Sequence, residues 1–243
     1  PAGLDWDLWL GPAAVRPYSH FYIPRFWRGW YELGNGELGD WACHTLDAPF
    51  WSLDLDMPVS VDSVFKTPNT PDGYVSDQSI LKFEFKARGK KPPVTLRWYE
   101  GGLKPDNRPE WGMPELPSQG MIMVGSKVSL MTGGRPNDPK LLLPKEDWDA
   151  FTKNLPPERI PRVKGGPRAE WLAAIKGEGP EPGSNFEYSA RLTEMASLGV
   201  LAQRMNTRIE YDEKKMKVTN HKDYDKYIKE PVRKGWSYGE DLW

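Results

Sequence analysis

Apolar and polar residues alternate with a period of two in the middle of the chain. The clearest case is the segment Leu81-Lys82-Phe83-Glu84-Phe85-Lys86, in which apolar and charged residues alternate strictly. Since successive side chains of a strand point to opposite faces, this pattern predicts a sheet strand with one buried face. Strands are predicted for the segments 59–66, 79–87, 94–100, 121–124, 127–131, 141–143, 208–211 and 217–218.

Apolar residues at helical spacing flank these strands. Leu38, Ala42, Leu46 and Phe50 form a stripe that predicts a helix over 36–52, with a kink or an early end at Pro49. Further helices are predicted for 145–154, 167–176, 188–205 and 221–229. Strands that cluster before helices predict an α+β fold, with an open, mainly antiparallel β-sheet and helices packed on one face.

The first residues of the chain show little periodicity. Residues 1–35 are rich in proline and aromatic residues, and we interpret them as an extended arm. Residues 36–243 are then one α+β domain with the functions of substrate binding and oligomerisation. A chain of 243 residues is long enough for this division.

Composition and charge exclude several classes of protein. No apolar run approaches the roughly 18 residues that a membrane span needs, so we expect no membrane insertion. Lysine and arginine number 33 and acidic residues 34, a balance that does not favour nucleic-acid binding. One cysteine rules out an internal disulfide framework and leaves the cellular compartment undecided.

The candidate chemistry lies at the start of the helix predicted for 36–52. Asp40 and His44 are four residues apart, so they lie on one helical face, one turn apart. Histidine is suited to proton exchange near neutral pH, and an adjacent carboxylate can fix its tautomer. We predict His44 and Asp40 as catalytic residues, with Asp47 on the same face as a brace. A purely structural role for such a pair is the alternative.

Aromatic and basic residues surround this helix in sequence. The chain contains twelve tryptophans, and tryptophan faces stack on the apolar C–H faces of sugar rings, which favours carbohydrate as the ligand. For the aromatic candidates, packing is an equally good explanation. The predicted substrate-binding residues are Arg28, Trp27, Trp30, Tyr18 and His20.

The order of several segments resembles the C-terminal domain of bacterial Gfo/Idh/MocA oxidoreductases, the glucose–fructose and inositol dehydrogenase superfamily. The D-x-x-x-H pattern of Asp40 and His44 matches a helix that faces nicotinamide in that family. The other matching segments, from about residue 4 to 238, are Leu4-Asp5-Trp6-Asp7-Leu8-Trp9-Leu10-Gly11-Pro12, Arg16-Pro17-Tyr18, Asn185-Phe186-Glu187-Tyr188-Ser189, Leu192-Thr193-Glu194 and Val232-Arg233-Lys234-Gly235-Trp236.

The resemblance implies an NAD- or NADP-dependent sugar or polyol dehydrogenase that forms a homo-oligomer through the open sheet face. Family members begin with a Rossmann domain that carries a Glu-Lys-Pro motif, and neither is found in these 243 residues. We therefore expect the cofactor to be held mainly by an N-terminal Rossmann domain, and the isolated chain to be inactive. The resemblance leaves both the bacterial cytoplasm and the periplasm open as locations.

A glycine motif overlaps the start of the helix predicted for 36–52. Residues 34–39 spell G-x-G-x-x-G, the pattern of a dinucleotide-binding loop. Such a loop requires a buried apolar strand before it, and the preceding residues are mixed and bulky. Glu37 and Asp40 would also place negative charge beside a pyrophosphate. We interpret the motif as a tight turn that begins the helix and presents backbone amides, and we assign no cofactor-binding residue in this chain.

Two other functions remain open from the sequence. One is a metal-dependent sugar hydrolase or lyase, in which Asp40, His44 and either His20 or His221 would hold the metal. No strong metal-ligand spacing supports it, and we assign no metal ligand. The other is a non-catalytic carbohydrate-binding or oligomerisation module, which predicts that Asp40 and His44 are dispensable for binding.

Overall fold

The computed structural model describes residues 1–68 and 72–237. The chain forms two compact units. The first comprises residues 1–43, 57–103 and the chain from Met195 onward, and the second comprises His44–Asp56 and Lys104–Glu194. Residues 69–71 and 238–243, which the predicted domain 36–243 includes, lie outside the described residues, and the division into an arm and a domain stays a prediction.

The first unit contains a five-stranded antiparallel sheet. Its strand order is β3-β2-β1-β7-β8, so the sequence neighbours β1, β2 and β3 also pair in space. Two pairs of the hydrogen-bonded register, Val61 with Phe83 and Leu81 with Trp98, bring large apolar residues to one face. The strands are β1 (Ser60–Lys66), β2 (Ser79–Phe85), β3 (Val94–Glu100), β7 (Arg208–Asp212) and β8 (Lys217–Val218).

The second unit contains a three-stranded antiparallel sheet and several helices. The strands predicted for 121–124 and 127–131 pair as a hairpin from Met121–Thr132 to Val124–Ser129, and the second strand begins at Ser129, two residues later than predicted. With this second sheet the α+β fold class is confirmed, although there are two sheets and not one. The elements are α3 (Asp47–Ser52), β4 (Met121–Val124), β5 (Ser129–Thr132), β6 (Lys140–Leu141), α4 (Lys145–Lys153) and α5 (Gly166–Lys176).

Two helices pack on the inner face of the five-stranded sheet. These are α2 (Gly36–Thr45) and the second half of α6 (Phe186–Met205). A Cβ atom at Gly199 would lie 2.6 Å from the Phe83 ring and 2.7 Å from the Leu38 side chain. The glycine therefore allows α6 to approach both the sheet and α2 closely.

A cluster of polar side chains is buried beneath α6. The Ser79 hydroxyl donates to Glu100 Oε1 at 2.7 Å, and the Trp98 indole donates to Glu100 Oε2 at 3.0 Å. The Gln203 amide donates to Ser79 Oγ at 2.8 Å and also to Glu100, while Tyr31 donates to Gln203 Oε1 at 3.3 Å. Burial raises the pKa of the Glu100 carboxyl, and it raises the pKa of Tyr31 to about 12.

The outer face of the sheet is charged. Lys82 forms ion pairs of 3.2 Å with both Asp62 and Glu84, and Arg208 Nη1 lies 2.9 Å from Asp62 Oδ2. Arg208 also contacts Glu84 at 3.5 Å and Glu210 at 3.3 Å. Alternation along β2 thus separates an apolar inner face from an ionic outer face, as the sequence pattern predicts.

The N-terminal segment contains helical elements, whereas the sequence predicted an extended arm. It contains α1 (Trp6–Leu10) and a 3₁₀ turn (Phe26–Gly29). The Asp5 carboxylate caps α1 by accepting a hydrogen bond from the Leu8 amide at 3.0 Å. One turn of helix is too short to show a period in the sequence, which explains why the pattern did not reveal it.

The helix predicted for 36–52 is divided into two. Helix α2 ends at Thr45 and α3 begins at Asp47, so the break comes before Pro49, which occupies the third position of α3. A proline is tolerated there because the first amides of a helix have no intrahelical acceptor. The predicted apolar stripe is confirmed, since all four of its residues are buried.

The C-terminal helix is shorter than predicted. A 3₁₀ turn (Lys222–Tyr224) leads into α7 (Asp225–Ile228), where the sequence pattern predicted one helix over 221–229. Within the part of the chain that the structure describes, no helix has the length and apolar character needed to cross a membrane.

Candidate functional site

The glycine loop before α2 is folded onto itself. The amides of Leu33, Gly34 and Asn35 all donate to the Trp30 carbonyl oxygen, at 2.9–3.1 Å. Asn35 and Gly36 have positive φ angles of 59° and 70°, which bring the chain into the helix. An intrachain acceptor therefore already satisfies the amides of Gly34 and Asn35, and the expectation that the motif presents amides to a ligand stays a prediction for the first turn of α2.

Gly34 allows the loop to contact the turn that carries Arg28. A Cβ atom at Gly34 would lie 2.4 Å from Arg28 Cα and 2.8 Å from its carbonyl oxygen. Since both are backbone atoms, neither can rotate away. The close approach fixes the backbone of Arg28 beside the first turn of α2.

Arg28 then connects two of the other predicted site residues. Its Nε donates to Asp40 Oδ1 at 3.3 Å, and its guanidinium lies 4.7 Å from the centroid of the Trp27 ring. The two charged side chains are 47% and 41% exposed, so solvent screens the pair and its contribution to stability is about 0–1 kcal/mol. Its main effect is geometric, because it holds the Asp40 carboxylate in a defined position.

His44 follows Asp40 by one turn of α2, which is continuous from Gly36 to Thr45. Both side chains are exposed. Asp40 belongs to the first unit and His44 to the second. Their assignment as a catalytic pair stays a prediction.

Asp47 has a partner that the sequence did not reveal. The Tyr188 hydroxyl donates to Asp47 Oδ1 at 2.7 Å, and the Tyr188 ring packs edge-on against Phe50 at 5.6 Å. Asn185 caps α6 beside it, accepting a hydrogen bond from the Tyr188 amide at 2.9 Å. These contacts fasten α3 to the beginning of α6.

The remaining predicted substrate-binding residues lie in aromatic contacts. The Trp30 ring is 5.2 Å from Tyr22 and 5.3 Å from Tyr74, and its indole nitrogen is buried without a hydrogen-bond partner among the described residues. Tyr18 meets the edge of Trp6 at 5.3 Å. His20 lies 4.3 Å from the Phe21 ring. The structure thus brings Arg28 into contact with both Trp27 and Asp40. The other three candidates, Trp30, Tyr18 and His20, lie in packing contacts with aromatic rings.

A cleft of about 880 Å³ opens in the first unit, and Trp27 lines it. Arg204 crosses its wall, with ion pairs to Glu32 at 3.6 Å and Glu230 at 3.3 Å, and lies 4.5 Å above the Tyr227 ring. The sequence analysis missed Arg204, Tyr227 and Glu230 because they come from α6 and from the C-terminal segment, far from any local motif, and it did not single out Glu32 beside the glycine loop. The polar lining consists of Glu32, Arg204, Lys226 and Glu230, and the aromatic lining of Trp9, Trp27 and Tyr227.

The described residues do not build a dinucleotide site. The G-x-G-x-x-G loop follows a 3₁₀ turn and not a strand, and every strand pair is antiparallel. A Rossmann site needs a parallel βαβ unit at this point. Within residues 1–68 and 72–237, no group of three or more histidine, cysteine, aspartate or glutamate side chains is arranged to hold a metal ion.

Comparison with known proteins gives one family. Residues 1–85 match the C-terminal alpha/beta domain of the Gfo/Idh/MocA oxidoreductase family. The matched segment contains Arg28, the glycine loop, Asp40 and His44. No curated protein matches the chain. The resemblance beyond residue 85 stays a prediction.

Proposed function

We propose that this chain, whose residues 1–85 match the C-terminal domain of the Gfo/Idh/MocA oxidoreductases, is the substrate-binding part of an NAD- or NADP-dependent sugar or polyol dehydrogenase. The observation that carries the proposal is the Asp40–His44 pair on α2, inside the matched segment. The cofactor would be held mainly by an N-terminal Rossmann domain, since the described residues offer no dinucleotide site. When bound, it supplies the carbon that accepts hydride.

His44 has the proton-transfer role in this proposal. As hydride leaves the secondary alcohol carbon, the C–O bond becomes a carbonyl and the hydroxyl proton must leave. The exposed imidazole of His44 takes or relays that proton, together with the lysine that the family's Rossmann domain carries, and returns it in the reverse reaction. Asp40 orients the imidazole or binds a substrate hydroxyl, and Arg28 holds Asp40 in place.

The cleft beside Trp27, whose lining does not include Arg28, Asp40 or His44, fits a neutral, hydroxyl-rich ligand. Two acidic and two basic side chains line it, so their formal charges cancel. Carboxylates and a guanidinium can bind adjacent hydroxyls, and the Trp9 and Trp27 rings offer apolar faces to sugar C–H groups. A phosphorylated ligand would meet Glu32 and Glu230 without a net positive charge to offset them.

The experiment uses the polypeptide joined to its Rossmann domain and measures reduced nicotinamide from a panel of sugars and polyols. His44→Ala should lower turnover by about 10²- to 10⁴-fold, the usual contribution of a positioned acid–base group, while cofactor affinity is unchanged. His221→Ala is the matched control, because His221 stacks on Tyr224 at 4.8 Å outside α2. Wild-type turnover in the His44 variant would refute the role. Sugar binding without any turnover in the wild type would instead favour a non-catalytic module.

The charged outer face of the five-stranded sheet is the surface that we propose for assembly of the homo-oligomer. It carries both signs of charge in adjacent positions, from Asp62 and Lys82 on neighbouring strands. Such a pattern can pair with itself across a two-fold axis. Phe65, 41% exposed at the end of β1, adds an apolar contact on this strand.

A further inference from the structure

Helix α5 in the second unit has its large apolar side chains on the outside. Trp171, Leu172 and Ile175 are 59%, 50% and 64% exposed, and none of the eleven residues of α5 is buried. The positions that face the protein, half-buried at Ala173 and Ala174, carry small side chains. A surface helix of a globular protein normally shows the opposite arrangement.

This inversion has an energetic consequence. An isolated helix of eleven residues is marginal in water, and most helices gain stability by packing an apolar face. Here the face with the larger apolar side chains, Trp171, Leu172 and Ile175, contacts solvent. These three residues, which we call the α5 stripe, therefore form an interaction surface that another molecule can cover.

The chain around the two ends of α5 carries opposite charges. Residues 159–168 contain four cations and no acid, and residues 177–187 contain three acids and no cation, with Glu158 just before the first segment and Lys176 just before the second. All seven charged side chains are exposed, and none has an ion pair within the described part of the chain. They are Arg159, Arg162, Lys164, Arg168, Glu178, Glu181 and Glu187.

We propose that the α5 stripe binds the same stripe of a second copy of this chain, with the two α5 helices antiparallel. In that arrangement the basic segment of each copy faces the acidic segment of the other, and the helix dipoles oppose one another. A parallel arrangement would set four cations against four cations. A two-fold, self-complementary contact is also the commonest form of homodimer.

The composition of the surface fits this occupant. A buried tryptophan surrounded by charged residues is the usual composition of an interface centre and rim. The α5 stripe belongs to the second unit, whereas the outer sheet face belongs to the first, so the two proposed contacts can be tested with different substitutions. The proposal does not depend on the proposed dehydrogenase activity.

The first test is sedimentation velocity of the 243-residue chain over a range of protein and salt concentrations. Wild-type association should weaken with salt, and Trp171→Glu should weaken it by at least tenfold. Val124→Glu is the matched control, because Val124 is 55% exposed on β4 of the same unit. Phe65→Glu tests the outer sheet face separately. A monomeric wild type, or association that Phe65→Glu removes and Trp171→Glu does not, would overturn the proposal.

The second test exchanges the charges of the two flanks and uses circular dichroism to check that the variants are folded. Arg159→Glu with Arg162→Glu and Lys164→Glu makes both flanks acidic, because three acids and one cation then stand in the basic segment, and Glu178→Lys with Glu181→Lys makes both flanks basic. Each multiple variant alone should associate at least tenfold more weakly, and an equimolar mixture should recover association, since acidic flanks then face basic ones. Failure of the mixture to recover, with circular dichroism showing both variants folded, would refute the antiparallel contact.

Discussion

Substituting Gly34 with alanine tests how the glycine loop positions Arg28. The new Cβ atom would lie 2.4 Å from Arg28 Cα and 2.8 Å from its carbonyl oxygen, whereas ordinary contacts of a Cβ begin at 3.4 Å. Opening the shorter contact to 3.4 Å requires a displacement of about 1 Å. The φ of Gly34 is not positive, so the effect is steric and not a matter of backbone preference.

The displacement has two measurable consequences. Inserting a methyl group into a packed contact costs typically about 1–3 kcal/mol, which for a chain of this length lowers Tm by roughly 2–12 °C. A shift of about 1 Å also takes the Arg28–Asp40 distance of 3.3 Å beyond the reach of an ion pair. In the enzyme joined to its Rossmann domain, turnover should fall as well if Asp40 acts as we propose.

The assay is urea and thermal unfolding of the variant beside a matched glycine substitution. Gly183→Ala is that control, because a Cβ there meets nothing within 4 Å and its φ is not positive. It should be neutral or more stable by up to about 1 kcal/mol, since alanine restricts the unfolded chain. If Gly34→Ala were as stable as Gly183→Ala, the proposed contact between the loop and Arg28 would be refuted.

Two further predictions concern pH. Because burial raises the pKa of Glu100, the folded state holds its proton more tightly, and stability should fall as pH rises from the ordinary value of 4.5 through the folded-state pKa. Glu100→Gln should remove this part of the pH dependence of urea unfolding, and parallel wild-type and variant curves would contradict it. The pKa of Tyr31 is raised to about 12, so wild-type stability should also fall between pH 10 and 12, and Tyr31→Phe should reduce that loss. A wild type that is equally stable at both alkaline pH values would speak against a buried Tyr31.

The sequence predicted best those elements whose own periodicity determines them. Strand β3 and the hairpin strand β4 have the predicted bounds, and the stripe from Leu38 to Phe50 is buried as expected. The break between α2 and α3 was misplaced, because the pattern of apolar residues continues through Leu46 without interruption. Helix α1 was missed because five residues carry too little pattern.

The contacts around the candidate site join residues that are distant in the sequence, and a local sequence pattern carries no information about such contacts. The Arg28–Asp40 pair needs the glycine loop to fold back through twelve residues, and the Tyr188–Asp47 bond joins residues 141 apart. Arg204 likewise lines the cleft through a long-range contact, its ion pair with Glu32. The candidate pair predicted from the sequence, Asp40 and His44, lies within residues 1–85, which the family model matches.

The buried polar cluster of the first unit determines which arrangement of α6 on the sheet is acceptable. Gly199 disfavours a helix shifted by one turn, because a larger side chain at its position would lie too close to Phe83 and Leu38, and the polar cluster adds a second penalty. A shift would remove Gln203 from Glu100 and Ser79, and each buried group left without a partner costs about 1–3 kcal/mol. The cluster therefore raises the free energy of states in which α6 lies at another position on the sheet. This penalty favours the native position of the helix.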